Sequence, residues 1–265
     1  MRGIQERWQV YQLDTGAIAN TNAQQDYEVA TDSDAPFCLR GLGCFFPGGG
    51  SVELRYARPD GRWAQRDLVA LQPALLGGLV SNQAKGGEFA PTFPNCVYPP
   101  RSVIAVQILN IFGAQVDALR LSFVGTKLYP PGAVSVGQYP PKYRARPFDV
   151  TFSVSLPAVK TVRDVQIPLL REDFVWSIGS HAVTSGTVTD VGVIVRDKLG
   201  KPYMSDFIWI EQVFGSGFGE RGGIPFPGIY LPANEVLTFD FKRNDVGGET
   251  AVIACTLRGH KVTAE

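Results

Sequence analysis

Apolar and polar residues alternate along this chain in short runs, and glycine and proline separate the runs. Val52-Glu-Leu-Arg-Tyr56 alternates strictly, as do Leu119–Phe123, Phe148–Leu156 and Leu237–Phe241, and Val103–Asn110 is a longer, mostly apolar run read in the same way. A period of two marks a strand with one face buried. No long segment keeps a helical period; residues 70–80 have room for one short helical turn, which Pro73 and Gly77-Gly78 cut. Strands at this spacing with Gly/Pro punctuation predict an all-β chain of sandwiches or jelly rolls. The predicted inward residues are Val52, Leu54, Tyr56, Ile104, Val106, Ile108, Leu119, Leu121 and Phe123, then Val193, Val195, Leu237, Phe239, Phe241, Ile253, Cys255 and Leu257.

The pattern comes twice. Tyr98-Pro-Pro-Arg-Ser102 and Tyr230-Leu-Pro-Ala-Asn234 each lead into an alternating run, and each run is followed by a closing strand with a glycine near its end, Gly125 and Gly259. Val52, Leu54, Tyr56 and Gly61 match Val191, Val193, Val195 and Gly200 at a shift of 139. Tyr98 and Pro100 match Tyr230 and Pro232 at 132, and Phe123, Gly125 and Lys127 match Leu257, Gly259 and Lys261 at 134. The changes in shift fall in connections, where insertions cost little. This series predicts two tandem jelly-roll-like β-sandwiches related by internal duplication.

The expected organisation is an N-terminal arm (1–25), a first sandwich (26–129), a Pro-rich linker (130–148) and a second sandwich (149–265). The arm, with Trp8, Val10, Tyr11 and Leu13 as one short strand, is read as disordered or tied down on a neighbour. Arg58-Pro-Asp-Gly61 is a hairpin turn, because Asp-Gly accepts the positive φ of a tight reversal. Trp63–Ala70 and Phe207–Ile210 are the matching return strands. Two Pro-Pro pairs in the linker hold extended backbone and interrupt pairing.

Composition narrows the function. Lys plus Arg and Asp plus Glu number 25 each, so no net field draws nucleic acid or an anionic membrane. Lys142, Arg144 and Arg146 are solvated linker charge. No run of 18 apolar residues indicates a membrane span, and the first residues lack the apolar block of a signal peptide. Cys38, Cys44, Cys96 and Cys255 lack metal spacing. They are read as buried thiols, with a Cys38–Cys44 bridge as the alternative.

Candidate chemistry is sparse. His181, in a Ser/Thr/Gly loop, and His260, just past the last strand, are too few for a metal site. Gly215-Ser-Gly-Phe-Gly-Glu220 lacks the lysine and the strand–helix setting of a phosphate loop. Glu172, Asp173 and Asp240 qualify for glycoside hydrolysis by residue type alone. No catalytic residue, metal or cofactor is expected. Trp63, Tyr203, Trp209, Phe214 and Phe218 could stack on sugars, which keeps a carbohydrate-binding or receptor-binding module as an alternative.

One resemblance follows from the repeated motif. Tyr98, Pro100, Ser102, Gly125 and Lys127, and again Tyr230, Pro232, Asn234, Gly259 and Lys261, resemble the Tyr-x-Pro-x-Ser/Asn and Gly-x-Lys pattern of small β-sandwich structural proteins of tailed-bacteriophage particles. The resemblance covers both sandwiches but neither arm nor linker. It implies a non-enzymatic virion component, assembled in the host cytoplasm as a capsid-associated, decoration, neck or tail protein. Its partners would be copies of itself and other virion proteins, through interfaces of roughly 1,600 Å². The expected contact residues are Trp8 and Tyr11 in the arm, Leu75, Leu76, Leu79 and Val80, and Phe214 and Phe218. A double jelly-roll major capsid protein is the alternative within the same class.

Overall fold

The computed structural model describes residues 5–20, 23–45, 52–64, 68–70, 90–111, 114–115, 118–130, 143–157, 162–168, 171–188, 190–214, 229–245 and 249–264. They form two compact units, Met1–Pro131 and Gly132–Glu265.

Among its described residues the first unit has eight strands: β1 (Gln5–Asp14), β2 (Gln25–Ala30), β3 (Phe37–Phe45), β4 (Val52–Tyr56), β5 (Val69–Ala70), β6 (Ala90–Tyr98), β7 (Val103–Asn110) and β8 (Arg120–Tyr129). They pair antiparallel in two sheets, ordered β1-β8-β3-β6 and β2-β7-β4-β5. The second unit has β9 (Tyr143–Leu156), β10 (Val162–Pro168), β11 (Asp173–Ser185), β12 (Val191–Arg196), β13 (Ile208–Trp209), β14 (Ile229–Leu231), β15 (Val236–Arg243) and β16 (Ala251–Ala264). Its sheets run β9-β16-β11-β14 and β10-β15-β12-β13. Strand for strand the order repeats. Each unit is a jelly roll, with its first strand beside its last and its second beside its seventh.

All of the predicted inward residues are buried. In unit one they meet Tyr11, Leu13, Phe37, Leu39 and Tyr98 in one core. The Asp-Gly hairpin forms as expected. Gly61 has φ 77° and its N–H donates to Arg58 O at 2.9 Å; Gly200 has φ 75° and donates to Asp197 O at 2.8 Å.

Several expectations are corrected. Residues 5–14 are not an arm: β1 pairs with β8 along its whole length, from Gln5↔Tyr129 to Asp14↔Arg120. Both faces of its central residues are buried. An alternating run beside a free last strand completes the sheet, since an unpaired backbone costs free energy. The strand expected after the linker begins earlier, at Tyr143, so exposed Arg144 and Arg146 lie on β9. The return strands are shorter than expected, only Val69–Ala70 and Ile208–Trp209.

Ile210 opens a short helix, α1 (Ile210–Phe214), instead of extending the second return strand. The helix lies over Gly179 of β11, where a Cβ would meet the Phe214 Cα and Val213 O at 2.6 Å. His181 and His260 are both within strands, opposite Cys255 and Val175, rather than in loops. The possible helical turn at 70–80 falls almost wholly outside the described residues.

The repeat is also shifted by one residue in one place. Tyr98 pairs with Phe37, but it is Leu231, not Tyr230, that pairs with the corresponding Phe174. Pro99 therefore matches Pro232, and Arg101 (φ 63°) matches Asn234 (φ 60°) in the same turn. The Ser102 N–H donates to Pro99 O at 3.3 Å and the Glu235 N–H to Pro232 O at 3.1 Å. A one-residue slip turns a strand's side chains to the opposite face, so the register decides which residue enters the core.

Candidate functional site

Each jelly roll has two ends where connections gather. At one end of unit one lie the β2–β3, β4–β5 and β6–β7 connections. A buried cation organises it. Lys127, near the end of β8, is 1% exposed and pairs with Asp32 and with Asp34, the latter at 2.9 Å. The Tyr129 hydroxyl donates to Asp34 Oδ2 at 2.6 Å, and the Asp32 N–H donates to the Tyr11 hydroxyl at 3.0 Å. Burial, reinforced by the neighbouring aspartates, pushes the Tyr11 and Tyr129 phenols well above their ordinary value.

The matching end of unit two has the same parts in a looser form. Lys261 pairs with Glu172 at 2.7 Å and sits 4.2 Å over the Phe148 ring. Asp173 caps the turn instead, accepting the Tyr230 hydroxyl and the Ala233 N–H, the latter at 2.7 Å. The Tyr98 hydroxyl donates to Ala57 O at 2.7 Å, in the β4–β5 connection, so the motif lysines and tyrosines of both units lock connections. The motif glycines are explained by packing. β3 slips register between Leu39 and Gly41, and β11 between Trp176 and Ile178. At each slip a carbonyl, of Cys38 or of Val175, turns to where a Cβ on Gly125 or Gly259 would lie.

The predicted contact residues separate into two groups. Trp8, Tyr11 and Phe214 are 4%, 0% and 0% exposed and belong to the interior of their units. β1 carries the first two inside, and α1 folds Phe214 onto Trp176, with ring centroids 6.0 Å apart. As partner contacts these three are corrected. Leu75, Leu76, Leu79, Val80 and Phe218 lie outside the described residues.

Two of the aromatics suggested for sugar stacking, Tyr203 and Trp209, are also buried. Trp63 is half-buried, with the Arg55 guanidinium 4.5 Å above its ring. The glycosidase candidates hold structural bonds: Asp240 pairs with Arg196 at 2.7 Å, Glu172 with Lys261, and Asp173 with its turn. Among the described residues no three His, Cys, Asp or Glu side chains gather as a metal site. Cys38, Cys96 and Cys255 are free thiols, so the Cys38–Cys44 bridge does not form. Cys38 and Cys255 are buried, which raises both thiols. No helix among the described residues is long and apolar enough to cross a membrane.

Among the described residues, the large apolar side chains left on the surface are scattered. Leu199, at the tip of the β12–β13 turn, is 82% exposed, and Val97, Val103, Ile111 and Val183 are partly so. Sequence reasoning missed Leu199 because it saw only a turn there; the signal was an apolar residue inside Asp197-Lys-Leu-Gly200.

No protein-family model matches the chain, and no curated protein matches it. Among solved structures it is similar to a triple jelly-roll protein from the turret assembly of an archaeal virus, at 8% identity and a TM-score of 0.27, over 96% of this chain and 60% of that one. The chain therefore spans less than two thirds of that protein. It is also similar to PBCV-1 VP54, as fitted into a reconstruction of the virophage Sputnik, at 7% identity and a TM-score of 0.26, over 97% and 94%. A third is a peptide-N(4)-(N-acetyl-β-D-glucosaminyl) asparagine amidase, at 8% identity and a TM-score of 0.20, over 97% and 98%. Likenesses this distant carry no functional argument. The jelly-roll assignment rests on the strand order above.

Proposed function

We propose that this chain is a non-enzymatic virion structural protein of the double jelly-roll kind, which builds or covers a particle through contacts with its own copies and other virion proteins. The observation that carries the reading is the tandem of two complete jelly rolls with one strand order. Jelly rolls occur in viral capsid domains, lectin domains and cupins. Because one fold hosts many functions, the side chains must choose among them. Here most of the aromatics named for sugar stacking lie in the core, and the carboxylates named for chemistry hold structural bonds: Asp173 in a turn, Glu172 to Lys261 and Asp240 to Arg196. Those placements favour the shell.

Within the virion class, two whole jelly rolls favour a shell-building protein over an accessory of a tailed particle. The motifs behind the tailed-particle reading are accounted for by a turn with positive φ and by glycines facing bulged carbonyls, which jelly rolls of any origin could use. The matched strand order is also what copying of one ancestral module would leave.

The test is assembly of the purified full chain, followed by light scattering and negative-stain microscopy across concentration and salt. Closed oligomers, arrays or particles are expected. A chain that stays monomeric under all conditions, while binding a glycan on an array through Trp63, would replace this reading with the carbohydrate one.

A further inference from the structure

The other end of each unit is also held by one side chain, and the sequence shows no motif there. In unit one it is Asn110, the buried last residue of β7. Its amide nitrogen donates to Ile18 O at 3.2 Å, Ala19 O at 3.4 Å and Ala114 O at 2.7 Å. One residue thereby ties the β1–β2 connection to the β7–β8 connection.

The matching place in unit two is filled by Arg243, the last residue of β15. The match follows from register, since Val52 pairs with Asn110 and Val191 with Arg243. Arg243 is fully buried. Its Nη1 donates to Glu249 O at 2.7 Å and Pro157 O at 3.5 Å, and its Nη2 to Thr187 O at 2.8 Å. Its Nε and Nη2 donate to Asp245 at 2.8 and 3.4 Å. The longer side chain reaches a third connection, β11–β12, besides the two that Asn110 reaches.

A buried guanidinium is costly unless paired and fully hydrogen-bonded, and an apolar residue could close a strand end as well. The ladders of β12 and β15 do not depend on this fork. Its bonds go to residues of connections alone, so it ties those connections to one another rather than the sheets. Fixed loops lose less freedom when a partner docks on them.

We propose that Asn110 and Arg243 are positioning residues for the loop end of each jelly roll, and that Arg243 holds its end in the shape that self-assembly needs. The second half rests on the assembly reading above; the first half does not.

The experiment compares Arg243→Met, Arg243→Lys and Asn110→Ala with the natural chain, by hydrogen exchange on peptides and by light scattering. In Arg243→Met, peptides holding Pro157, Thr187 and Glu249 should exchange about tenfold faster or more, while β11, β16 and all of unit one keep their protection. Arg243→Lys keeps the charge beside Asp245 but loses the fork, and should fall between. Asn110→Ala should loosen peptides around Ile18 and Ala114 and leave unit two unchanged. Unchanged loop exchange overturns the proposal. So does uniform loss of protection in unit two for both Arg243 variants, which would make the residue part of the fold's general stability. If the natural chain assembles and Arg243→Met, with loosened loops, assembles equally well, the assembly half fails alone. If the natural chain never assembles, the function reading fails while the loop result stands.

Discussion

Unit one fills its jelly roll with tyrosines among aliphatics; unit two fills the same strand order with stacked phenylalanine and tryptophan. In the first, Tyr11 meets Phe37 edge-on at 4.8 Å and Tyr56 meets Phe123 at 5.9 Å. In the second, Phe152, Trp176, Phe214, Phe239 and Phe241 make one aromatic cluster, and α1 supplies one of its rings. The edge strands differ too. β1 is buried on both faces, whereas β9 exposes Asp149, Thr151, Ser153 and Ser155 on one. Core chemistry and surface exposure thus differ between the units, while backbone crowding does not. The two bulge-facing glycines, the two Gly-ended hairpins and the two Pro turns occupy the same places. A core tolerates new side chains of similar volume; a carbonyl aimed at a neighbouring Cα tolerates none.

That contrast breaks first at the glycines. Gly125→Ala and Gly259→Ala each place a Cβ on the carbonyl of Cys38 or Val175, backbone that cannot turn away without undoing the bulge. Each should lower unfolding free energy by about 3 kcal/mol or more, read from denaturant midpoints. Gly61→Ala and Gly200→Ala meet open space and strain only φ, so each should lose about 1 kcal/mol. If the bulge-facing and hairpin variants lose the same, the shared constraint is not backbone crowding.

The tyrosine core gives the next effect, in unit one. Burial raises Tyr56 to about 12 and pushes Tyr11, Tyr98 and Tyr129 up as well. Below pH 10 the phenols are neutral in both states, and the stability they carry is complete. Above pH 10 the unfolded chain ionises first and binds fewer protons, so stability falls as pH rises. For Tyr56 the loss runs from 10 to about 12 and amounts to about 2–3 kcal/mol. Hydrogen exchange across a pH series should show unit one weakening in that window, and Tyr56→Phe should remove part of the loss. Unit one that keeps its full protection through that window, or a Tyr56→Phe chain that loses just as much, would refute it.

Much of this was legible in the chain, and for a physical reason. Period-two runs report burial directly, so the inward residues of both units could be named from alternation alone. Asp60-Gly61 specifies its own turn. The failures share a cause as well: they depend on what lies opposite a residue. Trp8 and Tyr11 read as an arm because β8, their partner, is distant in sequence. Ile210 reads as the end of a strand and Phe214 as an exposed contact because the place over Gly179 that α1 fills is a tertiary feature. Tyr230 looks like Tyr98 by letter, yet Leu231 takes its place by pairing. Neither Asn110 nor Arg243 stands in a motif, since each is defined by carbonyls from several connections.

The smallest effect separates the two lysines of the repeated motif. Lys127 is enclosed and shared by two aspartates, each at least a third exposed, while Lys261 is 22% exposed and pairs with Glu172. Solvent screens the carboxylates in both cases, so neither pair carries its full Coulomb energy. Lys127→Met still removes the partner that draws Asp32 and Asp34 together and weakens the anchor of the β2–β3 connection; about 1–2 kcal/mol should be lost. Lys261→Met keeps an apolar stem against Phe148 and exposes Glu172 to water, so the loss should stay below about 1 kcal/mol. Salt should narrow the Lys261 effect and leave most of the Lys127 effect. Equal losses with equal salt dependence would mean that burial at this end does not distinguish the units, and the contrast would then be confined to their cores.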